Sequence, residues 1–161
     1  MPETPEMPEL VSTVYFEDIE IDREYRSSER LVTEADLASF TELSGDRHPI
    51  HVDEEYARQT RFGRRILHGP FGVAVALGLF GDFREFVGSS IALTDIREWT
   101  FKAPIFVGDR IHLSMRITAK RPATSGRHGV VTRFMRLVRH DGTVVQEGSM
   151  GLMIAARPLD G

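Results

Sequence analysis

The sequence of 161 residues has the length and composition of one globular domain, with 41% hydrophobic and 27% charged residues. It contains no cysteine, which excludes disulfides, thiolate nucleophiles and cysteine-ligated zinc or iron–sulfur centres. The formal charge is −4 and the basic residues are spread along the chain, so the composition predicts no nucleic-acid-binding surface.

The first ten residues, MPETPEMPEL, are rich in proline and glutamate and predict a flexible N-terminal arm before a single domain over residues 11–161. They lack the basic and then apolar order of a secretion signal, so a cytoplasmic protein is expected. The longest uncharged apolar run covers residues 69–81, which is 13 residues, whereas a membrane-spanning helix needs about 18 or more. We therefore expect no membrane association.

Two short helices are predicted on either side of a polar loop. Thr33 is suited to cap the first helix, which ends before Gly45. Apolar residues recur in it at helical spacing: Leu37, Phe40 and Leu43. Residues 44–51 form the predicted loop, and Asp53 then opens a second short helix that ends near Thr60.

A long buried helix and a sheet are predicted for the rest of the chain. Residues 70–87 are apolar on nearly all sides, and Pro70 is tolerated in a first helical turn. Residues 110–120 alternate apolar and polar side chains, which is the period of a strand with one buried face. Further strands are predicted over residues 24–32, 91–102, 128–139 and 143–155. The sequence therefore predicts an α+β fold in which an antiparallel sheet wraps one central helix.

The polar loop carries a candidate acid–base pair. Asp46 and His51 are five positions apart, and Pro49 between them restricts the chain. A carboxylate and an imidazole can hold one water from two sides, the carboxylate accepting its proton while the imidazole orients it or exchanges a second proton. Water addition next to a carbonyl also needs that carbonyl polarised, and the backbone N–H of Gly69 is the candidate donor because Pro70 has none.

Three runs of the sequence carry a resemblance to a known family: FTELSGDRHPIHVDEEYA, FGRRILHGPFG and FKAPIFVGDRI. They resemble the MaoC-like dehydratases and (R)-specific enoyl-CoA hydratases, which have the hotdog fold. The resemblance implies that Asp46 and His51 are the catalytic pair and that the Gly69 amide faces the thioester oxygen. It also implies a homodimer or a higher homo-oligomer that binds an acyl-CoA near the subunit interface, and the R configuration of the product. No metal or organic cofactor is expected.

Two positions depart from the family pattern. His48 stands where the family usually has asparagine, and we predict that it braces the loop or faces solvent. Leu77 stands where some hydratases carry serine, which predicts a differently lined acyl pocket. His68 is predicted to brace the turn into the central helix. The weaker substrate-binding candidates are Arg64, Arg65, Phe71 and Leu77, with Arg61 in the same basic stretch as the two arginines.

The leading hypothesis is a hydro-lyase that hydrates trans-2-enoyl-CoA reversibly to (R)-3-hydroxyacyl-CoA. Two alternatives remain open from the sequence. The hotdog fold also hosts acyl-CoA thioesterases, and fold alone does not settle function. A non-catalytic hotdog subunit of a heteromeric dehydratase is the second alternative, although such a subunit would be expected to lack Asp46 or His51, and both are present.

Overall fold

A computed structural model describes residues 11–159 of the protein. The predicted arm over residues 1–10 and the last two residues lie outside the described part. The helices are α1 (Glu34–Ser44), α2 (Pro49–Val52), α3 (Glu54–Arg58) and α4 (Gly69–Phe80), with short 3-10 helices at Phe16–Asp18 and Arg84–Phe86. The strands are β1 (Glu24–Arg26), β2 (Arg30–Leu31), β3 (Ser90–Phe101), β4 (Arg110–Pro122), β5 (His128–Arg139) and β6 (Val144–Ala155).

Helix α1 begins and ends as its sequence predicts. The Thr33 hydroxyl accepts from the Asp36 N–H, and the Asp36 carboxylate accepts from the Thr33 N–H, so two free amides of the first turn are satisfied. Gly45 ends the helix with a φ of 71°, a left-handed conformation that glycine adopts without strain. Leu43, predicted on the apolar face, is instead 84% exposed.

The segment predicted as a loop contains an additional helical turn. Pro49 is the first residue of α2, where its fixed φ and missing N–H are compatible with a helix start. The His48 imidazole caps this turn by accepting from the Ile50 N–H. Asp53 then caps α3, which ends at Arg58 rather than near Thr60. Because α2 begins three residues after Asp46, His51 is held on a helix and not in an irregular loop.

The central helix α4 is shorter than predicted. It ends at Phe80, and the N–H of Gly81 bonds back to the carbonyls of Gly78 and Leu79. The chain then turns at Asp82, whose carboxylate accepts hydrogen bonds from the N–H and the hydroxyl of Ser28. The apolar pattern continues beyond residue 80 because Phe83 and Phe86 also enter the core, but they do so from a turn and a 3-10 helix.

One antiparallel sheet runs in the order β1-β4-β5-β6-β3, and β2 also pairs with β4. The alternation predicted for β4 holds at four inward residues that are at most 1% exposed: Ile111, Leu113, Met115 and Ile117. It fails at His112, which is buried although predicted to face outward, and at Ala119, which is exposed beyond a register shift after Ile117. The single edge strand predicted over residues 24–32 is two short strands, and between them the Ser27 hydroxyl oxygen accepts from the Leu113 N–H of β4 in place of a backbone carbonyl. No helix of the described residues is long and apolar enough to cross a membrane.

The sheet curves around α4 but does not cover it completely. α4 packs mainly on β4 and β5, and its first turn also approaches β3 at Phe101 and β6 at Gln146. Four large apolar side chains of β3 remain 43–55% exposed: Ile91, Leu93, Ile96 and Phe101. β3 pairs only with β6 among the described strands, which leaves its other edge unpaired.

Candidate active site

The predicted pair lies at the junction of α1 and α2. Asp46 directly follows Gly45, and its Oδ1 accepts from the His48 N–H at 3.1 Å. This turn directs the second oxygen, Oδ2, toward the His51 imidazole, with 3.7 Å between Oδ2 and Nε2. A separation of 3.7 Å is too long for a direct hydrogen bond but leaves both atoms able to accept from one shared water.

The His51 ring is oriented by the backbone. Its Nδ1 lies 2.7 Å from the Ile66 carbonyl oxygen, which can only accept, so Nδ1 carries the hydrogen. Nε2 then presents its lone pair to the Asp46 side. His51 is 9% exposed, whereas the Asp46 side chain is 53% exposed. The imidazole is thus fixed within the fold, and the carboxylate is accessible to an incoming substrate.

The charges of the pair follow from these surroundings. The His48 N–H bond to the carboxylate, helped by the nearby imidazoles, lowers the pKa of Asp46 below its ordinary value. Burial lowers the pKa of His51, although its bond to the Ile66 carbonyl opposes this effect. At neutral pH Asp46 is therefore a carboxylate and His51 a neutral imidazole, the combination that can accept two hydrogens from water.

His68 connects this loop to α4. Its Nε2 donates to the backbone carbonyl of Asp46 at 2.9 Å, and its ring stacks on His51 with centroids 3.7 Å apart. This is the bracing role that the sequence predicts for His68. Asp46, His51 and His68 offer metal-ligand atoms within 4.8 Å of one another. The Nδ1 of His51 and the Nε2 of His68 each bond to a backbone carbonyl, which leaves one ring nitrogen of each histidine for any ion. The absence of a metal stays a prediction.

Gly69 lies at the start of α4, close to the pair through its neighbour His68. As the first residue of the helix it has no carbonyl acceptor for its N–H within the helix. A side chain at this position would have a Cβ 3.0 Å from the Phe101 ring, so glycine permits the close approach of β3. The Gly69 N–H, the candidate oxyanion donor, is thus free to bond a substrate oxygen, and the Phe101 ring lies beside it.

Sequence reasoning missed Gln146 on β6, which is 2% exposed. Its Nε2 donates to the Gly69 carbonyl, and its Oε1 accepts from the Trp99 indole N–H, both at 3.0 Å. Gly72 provides the space, because a Cβ there would lie 2.3 Å from the Gln146 amide. A glycine inside an apolar helix and a glutamine inside an apolar strand were the only signals, and their pairing is a property of the fold.

A cleft of about 230 Å³ opens beside Gly69. Gln146, Phe101 and Ile66 contribute to its lining, and the Ile66 carbonyl is the group that orients His51. Arg61 also lines the cleft. Lys102 is a second basic residue of the lining and is paired with Glu147. The cleft thus joins the α4 start to a basic rim.

The four weaker candidates do not line this cleft. Arg65 is held by Glu34 and Glu54 at 2.7 and 2.8 Å, and Arg64 stacks on Phe106 with 3.9 Å between the guanidinium and the ring centroid. Arg65 is therefore engaged in ion pairs within the chain. Phe71 is buried against Phe40 and borders a second cleft between α1 and α4, and Leu77 is partly buried on α4.

Comparison with known proteins decides the family. Residues 17–135 match the family model described as a MaoC like domain. The chain belongs to the MaoC-like family. The matched residues include both members of the acid–base pair and the start of α4, and the family predicted from the sequence is confirmed.

MaoC-like relatives include enzymes that add or remove water. An (R)-specific enoyl-CoA hydratase from Rhodospirillum rubrum is 30% identical over 143 residues, which cover 89% of this chain and 93% of the relative. A 3-hydroxybutyryl-CoA dehydratase from Methylorubrum extorquens is 32% identical over 117 residues, covering 72% and 71%. The family therefore supports a hydratase or dehydratase at the level of reaction class.

The solved structures agree with the fold. A structure described as a monoamine oxidase regulatory protein from Archaeoglobus fulgius is similar with a TM-score of 0.84 at 32% identity, covering 92% of this chain and 98% of its own. The predicted α+β hotdog fold of this MaoC-like chain is confirmed.

Proposed function

We propose that this MaoC-like protein is a hydro-lyase that reversibly hydrates trans-2-enoyl-CoA to (R)-3-hydroxyacyl-CoA. The observation that carries the proposal is the 3.7 Å separation between Asp46 Oδ2 and His51 Nε2, two atoms that both accept hydrogen bonds at neutral pH. A carboxylate and a neutral imidazole in this arrangement suit the binding of one water between them. The R configuration is proposed from the name of the Rhodospirillum relative.

The reaction uses three groups of the chain. Asp46 accepts a proton as one O–H bond of the water breaks, and the water oxygen forms a bond to C3 of the enoyl group. The electrons of the C2–C3 double bond move toward the thioester oxygen, where the Gly69 N–H stabilises the developing negative charge. The Asp46–His51 pair then returns one proton to C2. Dehydration is the reverse sequence, and every proton comes from or returns to water.

The substrate and the assembly are also proposals. Arg61 at the rim of the cleft is the favoured partner for the CoA phosphates, since Arg65 is already paired with two carboxylates. A homodimer is supported by the unpaired edge of β3 and its exposed apolar residues. The expected independence from metals and organic cofactors fits a mechanism whose acid, base and oxyanion donor all come from the chain.

The experiment that tests the function follows the loss of enoyl-thioester absorbance with crotonyl-CoA and longer enoyl-CoAs. Wild-type protein, Asp46→Asn and His51→Ala are compared after circular dichroism has established that each is folded. We expect turnover by the wild type and a loss of about a hundredfold or more in kcat for each variant. His48→Asn is the matched control, because it changes an exposed histidine of the same loop and preserves a helix-capping side chain.

Two results would contradict the proposal. Release of free CoA without loss of the double bond would identify a thioesterase. If the wild-type protein hydrates no enoyl-CoA alone but does so with a second hotdog subunit, it is a non-catalytic subunit of a heteromeric dehydratase.

A further inference from the structure

The first turn of α4 has a backbone conformation that its own sequence does not favour. Gly69 is the first residue of the helix and directly precedes Pro70. A proline ring disfavours the helical conformation in the residue before it, and glycine has the widest choice of other conformations because it lacks a Cβ. The position of the Gly69 N–H, the proposed oxyanion donor, therefore depends on contacts from outside the helix.

One such contact is a chain of two hydrogen bonds that reaches Gly69 from the sheet. Gln146 Nε2 donates to the Gly69 carbonyl oxygen, and Gln146 Oε1 accepts from the Trp99 indole N–H, both at 3.0 Å. An indole N–H can only donate, and a carbonyl oxygen can only accept. The two partners therefore select the same orientation of the Gln146 amide. Without the indole N–H, only the Gly69 carbonyl would restrain that amide.

The backbone of β3 is irregular at the point where Trp99 enters the core. Two residues of β3, Glu98 and Trp99, lie opposite the single residue Gly148 of β6. Glu98 has a φ of 53°, in the left-handed region that residues other than glycine rarely adopt. A bulge of this kind redirects a side chain, and such strain persists where the surrounding structure holds it, often at functional sites.

The facing elements leave space for both side chains of the chain. A Cβ at Gly148 would lie 2.7 Å from the Trp99 Cα, and a Cβ at Gly72 would lie 2.3 Å from the Gln146 amide. Gln146 contributes to the lining of the cleft beside Gly69, whereas Trp99 does not. Trp99 instead packs against the hydrophobic core. Any effect of its N–H on the reaction must therefore pass through Gln146.

We propose that Trp99 is a positioning residue for the hydration. Its indole N–H fixes the Gln146 amide, and the amide holds Gly69 with the N–H directed at the thioester oxygen. This inference rests on the proposed hydratase function. An oxyanion donor stabilises the transition state most when it is already in place, so loss of the indole N–H should slow the chemical step and leave substrate binding nearly unchanged.

The first test removes only the indole N–H. Trp99 is the only tryptophan of the sequence, so growth of a tryptophan auxotroph on benzothienylalanine replaces that N–H by sulfur at this position alone. We expect kcat for crotonyl-CoA to fall about three- to tenfold, with KM changed by less than about twofold. Trp99→Phe, which also loses the donor, should show at least the same loss.

A matched control measures the effect of lost packing alone. Phe83→Leu removes part of a buried aromatic side chain beyond the other end of α4. It should lower the stability to urea as much as Trp99→Phe or more, and yet leave kcat within about twofold of the wild type.

The second test asks whether Trp99 acts through Gln146, by combining Trp99→Phe with Gln146→Met. We expect the kcat of the double variant to lie within about twofold of that of Gln146→Met alone, because the indole then has no amide to orient. Losses that multiply would show that Trp99 acts by a separate route.

The third test does not depend on turnover. The single indole N–H gives one resonance in a proton–nitrogen correlation spectrum, and the Gly69 amide gives another. Without ligand, Gln146→Met should shift the indole resonance, and Trp99→Phe should shift the Gly69 amide resonance. Phe83→Leu should leave both resonances in place.

Three outcomes would overturn the inference. The first is an unchanged kcat in the benzothienylalanine protein, and the second is a multiplied loss in the double variant. The third is a Gly69 amide resonance that does not move in Trp99→Phe. If no form of the protein hydrates an enoyl-CoA, the proposed function fails, and the spectra still decide whether Trp99 sets the position of Gly69.

Discussion

The Gln146 side chain joins β6 to the first turn of α4 by donating from Nε2 to the Gly69 carbonyl oxygen at 3.0 Å. The same amide accepts from Trp99, so neither end is free to rotate. The start of α4, and with it the Gly69 N–H, is therefore held by a side chain rather than by helix geometry alone.

Replacing Gln146 by methionine of similar length should lower kcat by about ten- to a hundredfold and change KM little. The physical reason is that the Gly69 amide would lose its fixed position, and a displacement near 1 Å is enough for such a loss. Steady-state kinetics on crotonyl-CoA measures the effect. A rise in KM with unchanged kcat would show instead that Gln146 contributes to binding and not to alignment of the amide.

A stability prediction concerns the space that Gln146 occupies. Gly72→Ala should lower the free energy of unfolding by about 1–3 kcal/mol, because the new methyl group overlaps an amide that cannot move without breaking its bonds. Gly78→Ala on the same helix is the matched control. It meets no atom within 4 Å and should raise stability by up to about 1 kcal/mol. Urea unfolding checks both, and equal effects at the two sites would refute the packing argument.

The pH dependence of the reaction should follow His51. Its pKa is below the ordinary value of about 6.5 because the ring is buried, so the neutral, hydrogen-accepting form persists at pH 7. As pH falls through the folded pKa, His51 becomes protonated and kcat/KM should decrease. Asp46, whose pKa is also lowered, remains ionised throughout this range. His51→Gln should remove the acidic limb from its residual activity, whereas His48→Asn should retain it.

Stability should change in the same pH window. Unfolded His51 binds a proton near its ordinary pKa, while the folded ring resists protonation, so the free energy of unfolding decreases as pH falls below about 6.5. Burial also lowers the pKa of His112, which adds an effect of the same sign. For the kinetic prediction, a decrease of kcat/KM at low pH that persists in His51→Gln would show that a group other than His51 is protonated.

The assembly can be tested on β3. Ile96→Asp places a charge among apolar side chains that are exposed in the single chain, and it should shift the protein from dimer to monomer in light-scattering measurements. Leu43→Asp is the control, because Leu43 is 84% exposed on α1 and away from the sheet edge. An unchanged mass for Ile96→Asp would exclude this face of β3 as the dimer contact.

Local sequence patterns alone predict several helix ends and buried strand residues of this protein. Thr33 and Asp36 form the predicted capping box, Gly45 ends α1 as expected, and the alternation in β4 places Ile111 and Leu113 in the core. These features depend on neighbours within a few positions, so the sequence displays them directly. The spacing of Asp46 and His51 likewise identified two side chains that the fold brings to within 3.7 Å.

Only the tertiary structure decided the remaining features. The end of α4 at Phe80 and the orientation of the His51 ring depend on contacts with distant segments, Asp82 with Ser28 and His51 with Ile66. Gln146 lies on a strand whose inward face is defined by what packs against it, and its only local signal is a polar amide among apolar neighbours. Periodicity indicates which residues are buried, but the partner of a buried polar group is set by the three-dimensional arrangement of the strands and the helix.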